Sequence, residues 1–157
     1  MITRLDIEER VREWGLAEQV VEKDYVLGWL LWGLGGEPAL AGKWAFKGGT
    51  CLKKCYLETY RFSEDLDFTV LPGGPLLAED VAPILRGVLE RVGAESGIDF
   101  GRREFLLKKH PKYEFTEGRI YYVGPRQTPG VYSIKLDLSR SERVVRPTVA
   151  RRIAHAY

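Results

Sequence analysis

FKGGTCLKKCYLETYRFSEDLDF, residues 46–68, decides how the chain is read. A short apolar run at 44–46 meets paired glycines. Apolar or thiol side chains then recur at 51, 52, 55 and 56, and residues 65–71 alternate carboxylate with apolar. Helical spacing followed by period-two alternation predicts a strand, a glycine turn, a helix over 50–60 and a second strand over 65–71. On that second strand Asp65 and Asp67 share a face, with Cα atoms about 6.6 Å apart, and Leu66 and Phe68 face the core. Two such carboxylates can converge on a metal pair roughly 3.5–4 Å wide. Aspartate is depleted in strands because it competes for backbone hydrogen bonds, so two of them want a reason. The plain alternative is the wet face of an edge strand.

Working outward, residues 131–138 repeat the logic: Tyr132, Ile134, Leu136 and Leu138 fall on one face, and Val131, Ser133, Lys135 and Asp137 on the other. Were this strand beside 65–71, three carboxylates would gather around one cation site, as hard divalent cations require. Lys135 would face those carboxylates or a substrate phosphate, or else be an exposed strand lysine. Gly48-Gly49-Thr50 opens a helix directly after a strand, where glycine lets a ligand approach the backbone and the helix start favours phosphate. The P-loop pattern is missing, and a bare Gly-Gly pair is by itself most often a turn. Arg61 and Ser63, just before the carboxylates, offer a clamp and a hydrogen bond to phosphate, against a surface arginine and a turn serine.

The flanks complete an α+β plan. Helical spacing runs from Asp6, is interrupted near Gly15 and resumes over 16–34. Residues 78–92 are also helical, and 105–107, 113–115, 120–123 and 131–138 read as strands of one sheet. Pro147 suits a first helical turn, so 147–157 reads as the start of a helix. With no repeat and no long Pro/Gly/Ser linker, 1–157 is expected to be one domain: N-terminal helices over 1–36, a core over 44–139 and the beginning of a helical region at 147–157.

Composition limits the rest. A hydrophobic fraction of 45% with 17 glycines and 8 prolines suits a packed globular chain, and a formal net charge of +2 argues for neither a nucleic-acid coat nor a membrane binder. The longest apolar run, 26–34, is far short of the roughly 20 residues that span a bilayer, and no signal peptide opens the chain. Cytoplasmic location follows as an expectation. Cys51 and Cys55, the only cysteines, sit one helical turn apart, too far for a relaxed disulfide, and read as buried thiols in a reducing compartment. His110 and His155 lack zinc spacing. Two basic stretches, Arg102, Arg103, Lys108, Lys109 and Lys112, then Arg140, Arg143, Arg146, Arg151 and Arg152, are interleaved or flanked by aromatics. They suit an RNA-facing surface or an ordinary solvated face.

The ordered set Phe46-Lys47-Gly48-Gly49-Thr50, Arg61-Phe62-Ser63-Glu64-Asp65-Leu66-Asp67-Phe68 and Lys135-Leu136-Asp137 with Glu142 resembles the AbiEii/AbiGii toxin family of nucleotidyltransferases. Glu22-Lys23-Asp24-Tyr25 resembles that family's N-terminal helix. The resemblance implies a polymerase-β-like nucleotidyltransferase core with a mixed sheet and helices packed on it. In it Asp65, Asp67 and Asp137 are catalytic and bind Mg2+ or Mn2+, and Lys47, Gly48, Gly49, Thr50, Arg61, Ser63 and Lys135 surround a nucleoside triphosphate. It further implies a bacterial toxin of a toxin–antitoxin or phage-defence pair, partnered by an antitoxin that can be a transcriptional regulator, and nucleotide addition to an acceptor such as the 3′ end of tRNA. Family members usually continue into a helical region beyond the point reached here. A nucleotide- or RNA-binding module without turnover is the competing class, and a metal-dependent nuclease or sugar-nucleotide transferase a third.

Overall fold

The computed structural model describes residues 1–57 and 61–157. Helix α1, Arg4–Trp14, starts in a capping box: the Asp6 amide donates to the Thr3 hydroxyl at 3.3 Å and the Thr3 amide to the Asp6 carboxylate at 2.6 Å. It ends at Gly15 in the left-handed conformation. Helix α2, Glu18–Gly35, is buried on most of its surface because it packs beneath the sheet and against α4, Ala78–Ser96. Between them lie β1, Trp44–Lys47; α3, Gly48–Cys51, which continues as a π-helical turn Leu52–Tyr56; and β2, Asp65–Val70. The strand-helix-strand order expected over 44–71 is observed, but Gly48 and Gly49 open the helix instead of forming a turn before it, and the helical stretch ends at Tyr56 with Leu57 extended, short of the expected 60; residues 58–60 lie outside the described residues.

Strands β3, Leu106–Lys109, β4, Phe115–Tyr122, and β5, Tyr132–Ser139, complete a five-stranded mixed sheet of order β1-β2-β5-β4-β3. Only the central β2–β5 pair is parallel. Alternation sends Leu66, Phe68 and Val70, Ile134, Leu136 and Leu138, and Ile120 and Tyr122 into one core with Leu27, Leu30, Leu85 and Val88 of the helices. Each such aliphatic side chain contributes roughly 1.5–3 kcal/mol by leaving water. On the opposite face, which carries Asp65, Asp67, Lys135, Asp137 and Glu117, no helix packs among the described residues. The α+β mixed-sheet expectation is met, and among the described residues no helix is long and apolar enough to cross a membrane.

Two expectations need correction. The segments 113–115 and 120–123 are not separate strands: β4 runs through Gly118 without a break. A Cβ there would meet Leu107 Cδ2 at 3.0 Å and Leu136 Cβ at 3.2 Å, so this glycine lets the side chains of both neighbouring strands close over β4 rather than turning the chain. Second, 147–157 forms no helix. Ile153, His155 and Tyr157, two apart, all dock toward the core, the period of extended chain, and the Ala154 amide donates to the Lys54 carbonyl at 2.7 Å.

Candidate active site

Pairing of β2 with β5 sets Asp67 opposite Asp137 and Asp65 opposite Lys135. On the far side of β2, Lys47 of β1 is opposite Asp67; on the far side of β5, Glu117 of β4 is opposite Asp137. One row, Lys47, Asp67, Asp137, Glu117, thus crosses four strands on the uncovered face. A cleft of about 280 Å³ opens here between Lys47, Gly48 and Asp67 on one side and Phe115, Asp137 and Ser139 on the other, with exposed Glu142 also lining it.

Gly48 has φ +80°, and a Cβ on it would lie 2.5 Å from Asp67 Oδ2. Both the left-handed backbone and the close approach of the carboxylate therefore demand glycine. Gly49 sits beside Ser63, whose Oγ would be 3.0 Å from an added Cβ, so the glycine pair and the serine are brought together. Thr50, expected among the nucleotide contacts, turns inward instead: it is 1% exposed and its hydroxyl donates to the Asp65 carbonyl, tying α3 to β2. Arg61 is exposed on the stretch before β2, and Asp65 is exposed at that strand's first position, outside the cleft lining.

The charges are incompletely answered. Burial first, then the charges of Asp137 and Asp65, pushes the Asp67 carboxyl above its ordinary value, against the opposing pull of Lys47 and Lys135. Lys135 Nζ lies 3.3 Å from Asp137 Oδ2 and 3.8 Å from Glu117 Oε2, and its hydrogen bond to Asp137 raises its pKa. Asp137 Oδ1 is buried with no hydrogen-bond partner. Lys47 Nζ is held 2.7 Å from Glu142 Oε2. Among the described residues no three His, Cys, Asp or Glu side chains are gathered tightly enough to hold a metal ion as they stand. Asp67 and Asp137 are together, and Asp65 stands one step along the strand.

Glu117 is not singled out by the sequence because it falls between 113–115 and 120–123, which read as two separate strands. Alternation across an unbroken 115–122 would have put Phe115, Glu117, Arg119 and Tyr121 on the face of Asp137. Also missed was a buried ion pair, Lys54 Nζ with Asp24 Oδ2 at 2.8 Å, behind the sheet. Cys51 and Cys55 are free thiols, half-buried where the sequence reading expects them buried, with Cys51 pushed up to about 12 by desolvation and by its neighbour Cys55. The basic stretches are divided. Lys108 and Arg119 are exposed on the open face in register with Glu117 and Leu106, and Arg103 lies 4.0 Å above the Tyr121 ring. Lys109 instead donates to the carbonyls of His110 and Tyr113, Arg140 pairs with Glu114 at 3.6 Å and Arg102 with Asp99 at 3.3 Å.

No curated protein matches the chain. Residues 29–157, from the middle of α2 through the whole sheet, the cleft and the extended segment after β5, match the family model described as nucleotidyl transferase AbiEii toxin, type IV TA system. With its nucleotidyltransferase fold, the chain belongs to the AbiEii toxin family of nucleotidyltransferases.

Proposed function

We propose that this chain transfers a nucleoside monophosphate from a nucleoside triphosphate to an acceptor hydroxyl, in a metal-dependent reaction, as the toxin of a toxin–antitoxin and phage-defence system. The observation that carries the reading is the in-register Asp67–Asp137 pair in a cleft floored by Gly48, with a buried Asp137 oxygen lacking any partner. An unanswered buried carboxylate oxygen is costly in a finished structure, and hard oxygen donors suit a divalent cation. Asp67 and Asp137, with Asp65 brought in by side-chain rotation, would hold Mg2+ or Mn2+, which when bound polarises phosphate and lowers the pKa of an attacking hydroxyl.

The remaining work falls to the chain's own groups. Gly48, without a side chain, leaves room for phosphate against the backbone, and Lys47 supplies an ammonium at the same wall once it exchanges Glu142 for phosphate. Ser63, beside Gly49, and Arg61, two residues before it, would orient the triphosphate. Lys135 tempers the repulsion among the carboxylates, and positioning with charge neutralisation supplies most of the acceleration. For the acceptor we favour RNA, with the 3′ end of tRNA as the specific case: Lys108, Arg119 and the Arg103–Tyr121 stack offer phosphate-pairing charge and a stacking surface on the face that holds the carboxylates.

The test incubates the protein with magnesium, each labelled nucleoside triphosphate in turn, and total RNA. Label should move to RNA and be lost with Asp67→Ala. Cleavage of RNA with no transfer would overturn the reading in favour of a nuclease. That no three ligands converge among the described residues favours a second reading, a nucleotide- or RNA-binding module without turnover; saturable triphosphate binding with no product in the same mixture would establish it.

A further inference from the structure

Glu117 stands between opposite influences. Lys108 faces it on β3, but on the other side it lies directly opposite Asp137 on β5, and like charges so placed repel. Its side chain is 47% exposed, so core packing does not call for it. Lys135 bridges the two acids, with Nζ 3.3 Å from Asp137 Oδ2 and 3.8 Å from Glu117 Oε2. Resting on the metal-dependent reading above, we infer that Glu117 is a positioning residue that receives the Lys135 ammonium from Asp137 when a divalent cation binds at Asp67 and Asp137.

Lys135 occupies one Asp137 oxygen, and the other is buried with no hydrogen-bond partner. A dication drawn to Asp137 and Asp67 repels an ammonium already seated on one of those oxygens, so cation binding carries the cost of displacing it. Two acids can receive it. Asp65 is in register with Lys135 on β2, but it lies on the cation side and is itself one of the expected ligands. Glu117 is on the opposite side, on β4, within reach of a side-chain rotation and with no backbone movement. Handing the lysine to Glu117 frees both Asp137 oxygens, keeps the ammonium hydrogen-bonded, and leaves one positive charge beside the cleft. Glu117 touches neither cation nor substrate in this account; it acts through Lys135.

Titration calorimetry of the whole chain with Mn2+ and Mg2+ tests the handover without relying on turnover. Glu117→Asp keeps the charge but is one methylene short, and Glu117→Gln removes the charge. Both should weaken cation affinity about threefold to tenfold, the scale of coupling between groups in contact. Lys135→Met should tighten it, and in that background neither change at Glu117 should matter. Wild-type affinity in Glu117→Asp would overturn the inference alone, since a plain field effect needs only the charge. So would a Glu117→Gln penalty of the same size with and without Lys135. A wild-type chain that binds neither cation would overturn the metal-dependent reading along with it.

Discussion

Asp24 and Asp67 are both drawn out of bulk water, and they are treated in opposite ways. Asp24, 5% exposed on α2, accepts from Lys54 Nζ at 2.8 Å and has the Tyr157 hydroxyl at 3.0 Å. Two residues earlier on the same helix the pattern recurs: Glu22, 1% exposed, accepts from the Arg126 amide at 2.9 Å and from its guanidinium at 3.1 Å. Asp67 instead faces two more acids, and the lysines nearest it are engaged elsewhere, Lys47 with Glu142 and Lys135 with Asp137. Paired buried charge fixes the packing of the structure. Half-buried charge left short of partners is the pattern on which the proposed cation site rests.

Breaking the paired side should cost the most stability. Lys54→Met leaves the buried Asp24 side chain of α2 with one partner fewer, and loss of one member of a buried pair costs about 3–5 kcal/mol. Urea denaturation should show this as a fall in midpoint at unchanged slope. Breaking the unpaired side should do the reverse. In Asp67→Asn one of the mutually repelling carboxylates is gone, so stability without metal should hold or rise, while nucleotide transfer falls by about two to three orders of magnitude, the several kcal/mol that metal-assisted charge stabilisation supplies. Were Asp67→Asn to destabilise as much as Lys54→Met, the contrast between the two acids would be lost.

Gly48→Ala sharpens the contrast from the backbone side. With φ +80° and Asp67 Oδ2 2.5 Å from the added carbon, the substitution strains the turn and pushes the carboxylate off its place. About 1–3 kcal/mol of stability should go, together with transfer activity. A variant that loses stability but keeps full activity would mean that Asp67 does not need the position it has here.

Much of this was legible in the sequence, and the limits have physical causes. The switch from helical spacing at 51–56 to strict alternation at 65–70 announced α3 and β2, and alternation in β5 put Asp137 on a polar face. That β5 lies beside β2 was not legible, because pairing of strands some seventy residues apart is decided by packing against α2 and α4, not by either strand's own pattern. Thr50 shows the same limit at one residue: a hydroxyl after two glycines suits phosphate, and only the docking of α3 on β2 turns it to the Asp65 carbonyl. A lysine on a helix reads as solvated, so Lys54 gave no sign of its burial with Asp24, thirty positions away. Pro147 suited a helix start, yet the alternating contacts of Ile153, His155 and Tyr157 with α2 and its surroundings prevail over that local preference.

The smallest expected effect lies in that last segment. The His155 ring rests on Gly28, where an added Cβ would be 1.9 Å from Nδ1, although the residue as a whole stays exposed. Burial of the ring and then the Lys54 ammonium lower its pKa from 6.5 to about 4, with Asp24 opposing. Between those two values the unfolded or undocked chain holds more protons than the docked one, so the linkage relation makes docking weaken as pH falls from 6.5 toward 4 and leaves it unaffected above 6.5. Solvent at the exposed edge mutes the size of the effect. The Ala154 amide, bonded to the Lys54 carbonyl, reports it directly: its hydrogen-exchange protection, corrected for the intrinsic pH dependence of exchange, should decline over that window. In His155→Phe the decline should vanish; if it persists with the same slope, the titrating group is not His155, and the paired cluster around Asp24 is itself less securely answered than its distances imply.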